Sequence, residues 1–165
     1  MNQTARAPLP GGGNGFTLIE VLVVVAVMAV LATIAIPMTE LSRKRNQEED
    51  LRRALREIRT ALDTHKKLAD QGRIARPIDG SGFPASLEVL VDGIPDLQSK
   101  TGARIYILRQ LPRDPMASAE LQAAQTWSLR SYDSPSDSPR PGPDVFDVHS
   151  RADGVGLNGV PYSKW

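Results

Sequence analysis

Glu20 stands inside the most apolar stretch of this 165-residue chain, where Gly15-Phe16-Thr17-Leu18-Ile19-Glu20 runs without a break into Val21 to Ile36. A helix crosses the hydrocarbon core of a bilayer with about 20 predominantly apolar residues. Phe16 to Ile36 supplies that length, with Thr17, Glu20 and Thr33 as its polar interruptions. A carboxylate in such a segment is costly to desolvate and is by default a working residue. The run exceeds the roughly 7–15-residue apolar core of a secretory signal peptide, and its small residues precede that core rather than follow it. Residues 16–36 are therefore read as a membrane-spanning helix. Taken alone, the span also fits a plain anchor whose glutamate reaches toward the interface.

The whole string Gly-Phe-Thr-Leu-Ile-Glu, followed by an apolar helix, resembles the type III signal of type IV pilins and type II secretion pseudopilins. In that family a dedicated prepilin peptidase cuts after the glycine. The resemblance implies that residues 1–15 are a leader, that cleavage falls between Gly15 and Phe16, and that Phe16 becomes an N-methylated N-terminus. It also implies that Phe16 and Glu20 serve assembly, the amine of an incoming subunit meeting the carboxylate of one already in place. Elementary electrostatics agrees. The two groups lie about one helical turn apart in sequence, and charges that are expensive alone in a low-dielectric region cost much less when paired. Ala26, Ala29 and Thr33 fall at i, i+3 and i+7, a small-residue stripe along which another helix could approach, although alanine is common in membrane helices anyway.

Beyond the span there is room for one small globular domain. The formal charge is +1, and loss of the leader removes Arg6, so no basic excess argues for nucleic acid. The chain has no cysteine, which separates it from pilins that close a C-terminal loop with a disulfide. Basic residues normally mark the cytoplasmic side of a span. Here Arg43, Lys44 and Arg45 follow it, while the leader offers Arg6 alone. The family has the leader inside and the domain outside, and that topology is adopted: a single-pass inner-membrane protein with a periplasmic C-terminal domain.

Residues 37–72 read as an amphipathic continuation of the same helix, kinked at Pro37, which lacks an amide hydrogen. Leu51, Leu55, Ile58, Leu62 and Ala69 form a stripe that can bury one face. The pairs Glu48/Arg52, Glu49/Arg53, Arg53/Glu57 and Asp63/Lys67 sit four apart and read as a solvated face. His65 has no nearby cysteine or second histidine and reads as polar packing, while Gly72 is a natural stop. From residue 73 to 165 the pattern changes. Residues 83–91 suggest an extended entry into a short helix ended by Gly93 and Pro95. Short β-type runs follow at 105–108, 126–130 and 145–148. The fold class expected is α+β, type IV pilin-like: a long N-terminal helix packed against a small antiparallel sheet.

Leu111-Pro112-Arg113-Asp114-Pro115, Trp127, the strand Asp147-Val148-His149-Ser150 and a final loop with Ala152-Asp153-Gly154 and Trp165 narrow the resemblance. Together they look like the major pseudopilins, the G subunits of type II secretion. In that family the last loop binds calcium, which implies Asp144, Asp147, Asp153 and Asn158 as its ligands here. Calcium wants six to eight oxygens, and this loop is poor in acids, so Asp153-Gly154 and Asn158-Gly159 also read as plain turns. No other cofactor is implied. No phosphate-binding glycine loop or metal-spaced histidine pair is present. His149 and Ser150, adjacent on a strand, face opposite sides, so an enzyme is not expected.

The resemblance implies a structural subunit that is polymerised with copies of itself and with minor pseudopilins. The prepilin peptidase, an inner-membrane assembly platform and its ATPase would be its further partners. A type IV pilus subunit shares every N-terminal feature, and a membrane-anchored periplasmic binding protein that never polymerises is the reading from a different class.

Overall fold

A computed structural model describes residues 15–165, with the side chains of residues 33–38 left aside. The leader, apart from Gly15, and the side chains of Thr33 and Pro37 lie outside the described residues. The chain divides into two compact units, Met1–Ser42 and Arg43–Trp165. Helix α1 (Leu18–Asp70) contributes to both.

Thr17 starts α1. Its carbonyl accepts the amides of Glu20 and Val21 at 3.1 and 3.2 Å, and its hydroxyl accepts the Glu20 amide at 3.3 Å. A threonine at this position satisfies a donor that the first helical turn leaves unpaired. Glu20 three residues on completes the Thr-x-x-Glu pattern of a capping box. The far end is closed by Gly72, at φ 66°. There the Arg73 amide reaches the Leu68 carbonyl and the Gly72 amide that of Ala69, each at 3.0 Å. These two bonds make a Schellman stop, whose left-handed residue is cheapest as glycine.

The apolar stripe read from the sequence is the spine of the second unit. Leu51, Leu55, Ile58 and Leu62 are all at most 2 % exposed. They share a core with Leu87, Leu90, Trp127, Val145, Val148 and Tyr162. Leu68, Ala69, Ile74 and Ile94 form a smaller cluster. Burying a side chain of this size stabilises by about 1.5–3 kcal/mol, so this stripe is the main attachment of the helix to its cover.

That cover is two short ladders rather than one three-stranded sheet. After a single helical turn, α2 (Val89–Asp92), β1 (Ile94–Pro95) pairs antiparallel with β2 (Arg104–Ile105). β3 (Trp127–Arg130) pairs antiparallel with β4 (Asp147–Ser150), Trp127 opposite Ser150 and Leu129 opposite Val148. The expected strand at 105–108 stops early because the amides of Ile107 and Leu108 both turn to the Leu90 carbonyl. The third expected strand lies two residues later than 145–148, since the Val145 amide is taken by Pro84. In the two longer strands one face is turned to the core. Trp127 and Val148 are fully buried, while Ser128, Arg130, Asp147 and His149 are half-buried on the other side.

The Ser- and Pro-rich stretch after Tyr132 is closed on itself. The Ser131 amide donates to the Arg140 carbonyl at 2.9 Å, and the Arg140 amide to the Ser134 hydroxyl at 2.7 Å.

Candidate functional site

Two regions carry side chains that the packing of a core does not explain. The first is the start of α1. Phe16, Leu18 and Ile19 are 82, 82 and 67 % exposed, and the apolar side chains from Val21 to Leu31 are exposed on every face of the helix. Glu20 sits in the first turn, where a carboxylate is favoured by the amide dipoles of the helix start. Ala26 and Ala29 of the small-residue stripe are exposed as well. A helix that is apolar all round requires a surrounding of lipid or of other helices.

The second region is the C-terminal segment laid along α1. Glu48, only 4 % exposed, accepts the Leu157 amide at 2.8 Å and the Tyr162 hydroxyl at 3.0 Å through one oxygen, Oε1. One turn earlier, Lys44 donates to the Val155 carbonyl at 3.0 Å. One turn later, the Arg52 guanidinium lies 4.4 Å over the Trp165 ring, which meets Tyr162 edge-on at 5.1 Å. Further along, Arg59 donates to Asp147 at 2.7 Å and to the main-chain oxygens of Val148 and Trp165 at 3.1 and 2.7 Å. Removal from water and the Glu48 carboxylate both push the Tyr162 phenol above its ordinary value.

The charge run is thus only partly the solvated face read from the sequence. Among the described residues the ion pairs within the helix are Asp50 with Arg53 and Lys66 with Asp70, in place of the four pairs expected. Glu48, Lys44, Arg52 and Arg59 point to the C-terminal segment instead. Their spacing along one helix face was visible in the sequence; their partners, about a hundred residues away, were not.

The Leu111–Pro115 loop is pinned to the second ladder. Asp114, fully buried, accepts the Ser150 hydroxyl at 2.5 Å and the Met116 amide at 2.8 Å. Its own amide donates to the Thr126 hydroxyl at 3.1 Å, and the Trp127 indole donates to the Pro112 carbonyl at 2.9 Å. Ser150 is therefore committed to Asp114 on the inner face, on the side opposite His149. His65 is buried and donates from Nδ1 to the Gly82 carbonyl at 2.9 Å, the polar packing expected of it.

Burial holds the His65 imidazole below its ordinary value against the opposing pull of the Gly82 carbonyl. Burial also lowers His149, opposed by Asp147 and aided by Arg59 and Arg130. For both, the folded state takes up its proton at lower pH than the unfolded chain. Their stabilising contribution is then complete above the unfolded imidazole value, about 6.5, and is lost as pH falls through the folded values. Thermal melts across about pH 7.5 to 5.5 are expected to show a falling midpoint, with part of the slope removed in His65→Asn.

A family model, the prokaryotic N-terminal methylation motif, matches residues 13–36. The chain carries a prepilin-like N-terminus. This motif, of the type IV pilin and pseudopilin class, contains Gly15, Phe16 and Glu20 and the exposed apolar part of α1. No curated protein and no solved structure matches the chain. Among the described residues no helix is long and apolar enough to cross a membrane. Within the 16–36 span the described side chains end at Ala32, and those of residues 33–36 lie outside them.

Three of the four residues implied for calcium are engaged by protein donors. Burial raises the Asp144 carboxyl, but hydrogen bonds from Ser81, the Tyr132 amide and Ser131 outweigh it and hold the group below the usual carboxylate range. Asp147 is held by Arg59 and by the Val148 amide. Asn158 accepts the Val160 amide at 3.1 Å, which leaves Asp153 as an exposed acid on the turn. Among the described residues there is no group of three or more His, Asp or Glu side chains able to hold a metal ion.

Proposed function

We propose that the protein is a structural subunit of a type II secretion pseudopilus. It is cleaved between Gly15 and Phe16 by a prepilin peptidase, methylated at Phe16, and added from the inner membrane to a helical filament. The head, residues 73–165 with the amphipathic half of α1, stands in the periplasm. Filament growth, driven by a separate ATPase through an assembly platform, moves exported proteins outward. The subunit itself performs no chemistry.

The observation that carries this reading is the methylation motif lying over a helix whose apolar side chains are exposed all round, with Glu20 in its first turn. In lipid such a helix gains little by leaving the acyl chains for other apolar helices, because neither surrounding contains water. Packing supplies adhesion without register. A buried ammonium-carboxylate pair supplies register, since each charge is costly until it meets its opposite. The choice of secretion over a type IV pilus rests on the likeness of Leu111–Pro115, Trp127 and Asp147–Ser150 to the major pseudopilins, segments that are hydrogen-bonded to one another in this chain.

The test is the intact mass of the protein isolated from native membranes. The expected species begins at Phe16 and carries one added methyl group. An unprocessed Met1 species in a strain with an active peptidase would exclude the filament pathway and leave a membrane-anchored binding domain. Given a processed Phe16, deletion that abolishes export supports the pseudopilus, whereas loss of twitching or adhesion with export intact assigns the chain to a pilus.

A further inference from the structure

We propose that Lys44 and Glu48 do for the C-terminal segment what a divalent cation would otherwise do, so that this head folds and holds its last loop without calcium. The two residues lie one turn apart on α1 and grip opposite kinds of main-chain group. The Lys44 ammonium sits on the Val155 carbonyl at 3.0 Å, and the Glu48 carboxylate takes the Leu157 amide at 2.8 Å. A calcium ion gathers six to eight oxygens, many of them carbonyls. Here four carbonyls of this loop already face protein donors, that of Val155 among them. The Gly154 carbonyl accepts the Tyr162 amide at 3.2 Å, that of Gly156 the Gly159 amide at 2.9 Å, and that of Val160 the Gly156 amide at 2.9 Å. The Val160 carbonyl also accepts the Trp165 indole at 3.2 Å.

The packing leaves the same message. A Cβ on Gly156 would fall 2.4 Å from the Trp165 ring and 2.7 Å from the Asn158 side-chain oxygen, so the loop is closed down on its own tryptophan. The ammonium on Val155 and the ring against Gly156 thus occupy the side of the loop that faces α1 and Trp165. The inference concerns the head alone and holds or fails independently of filament assembly.

The full chain, purified in detergent, is melted and subjected to hydrogen exchange in excess EGTA and in millimolar calcium. The expected result is an unfolding midpoint that moves by less than about 1 °C between the two, with equal protection of the amides of Gly156, Leu157 and Tyr162. Glu48→Ala is expected to speed exchange of those amides by about tenfold or more in either buffer. A calcium-dependent rise of more than about 4 °C, or protection that appears only with calcium, overturns the proposal. So does unchanged exchange in Glu48→Ala. Should that variant fail to fold, the calcium comparison on the unaltered chain still decides.

Discussion

Glu20→Ala is expected to abolish filament assembly while the protein remains in the membrane with its head folded. The substitution removes the carboxylate that an incoming Phe16 ammonium would meet and leaves that ammonium unpaired in a dry helix bundle. Losing one partner of a buried pair costs about 3–5 kcal/mol. At about 1.4 kcal/mol per factor of ten, that lowers the equilibrium for adding a subunit at least a hundredfold. The head should not register the change, because Glu20 belongs to the unit Met1–Ser42 and the buried core belongs to the other. Sedimentation of sheared filaments measures assembly, and membrane fractionation with a thermal melt measures the rest. Glu20→Asp, which keeps the charge on a shorter stem, is expected to recover part of the assembly. A wild-type yield of filaments from Glu20→Ala would remove the pairing from the account, whereas an absence of filaments from the unaltered chain as well would favour a domain that is anchored but never polymerises.

How far the sequence could be read depended on whether the determining interaction was local. The Leu51, Leu55, Ile58, Leu62 stripe and the Gly72 stop depend on the helical repeat and on one backbone angle, and both stand where the pattern put them. The cap at Thr17 is local as well, and its Thr-x-x-Glu string overlaps the membrane segment, where Glu20 is at once a span charge and the third helical residue. The strands were harder. A period of two locates faces but leaves the ends free, and Ile107, Leu108 and Val145 were drawn out of their ladders by Leu90 and Pro84, partners that no local pattern announces. Likeness did better than alternation at β4: the motif Asp147-Val148-His149-Ser150 has the observed bounds. The same likeness suggested Asp147 and Asp144 as calcium ligands, and no local pattern announced the arginine and hydroxyl partners that these carboxylates have. A residue type carried over from a family specifies a possible ligand, but only the groups around it decide whether its oxygens are free.

Glu48→Ala is the head substitution with the largest expected effect, although helical spacing and charge would class Glu48 as a surface residue. Its carboxylate is 4 % exposed and receives two donors on one oxygen. Hydrogen bonds to a charged group contribute about 1.5–3 kcal/mol each, and a buried donor left without a partner costs about 1–3 kcal/mol. The two donors will not suffer equally. The Leu157 bond is part-buried, whereas the Tyr162 bond is buried and the hydroxyl of Tyr162, 5 % exposed, would be stranded. A loss of about 2–3 kcal/mol follows, mostly from the tyrosine, and for a head of this size it lowers the unfolding midpoint by roughly 10 °C. Glu48→Gln keeps an acceptor in place and should lose about half as much. Tyr162→Phe removes the stranded donor itself. In the double variant Glu48→Ala with Tyr162→Phe, the losses should therefore be less than additive by about 1–2 kcal/mol, a coupling expected of residues in direct contact. Additive losses would mean that the two side chains act separately and that Glu48 holds the segment through Leu157 alone.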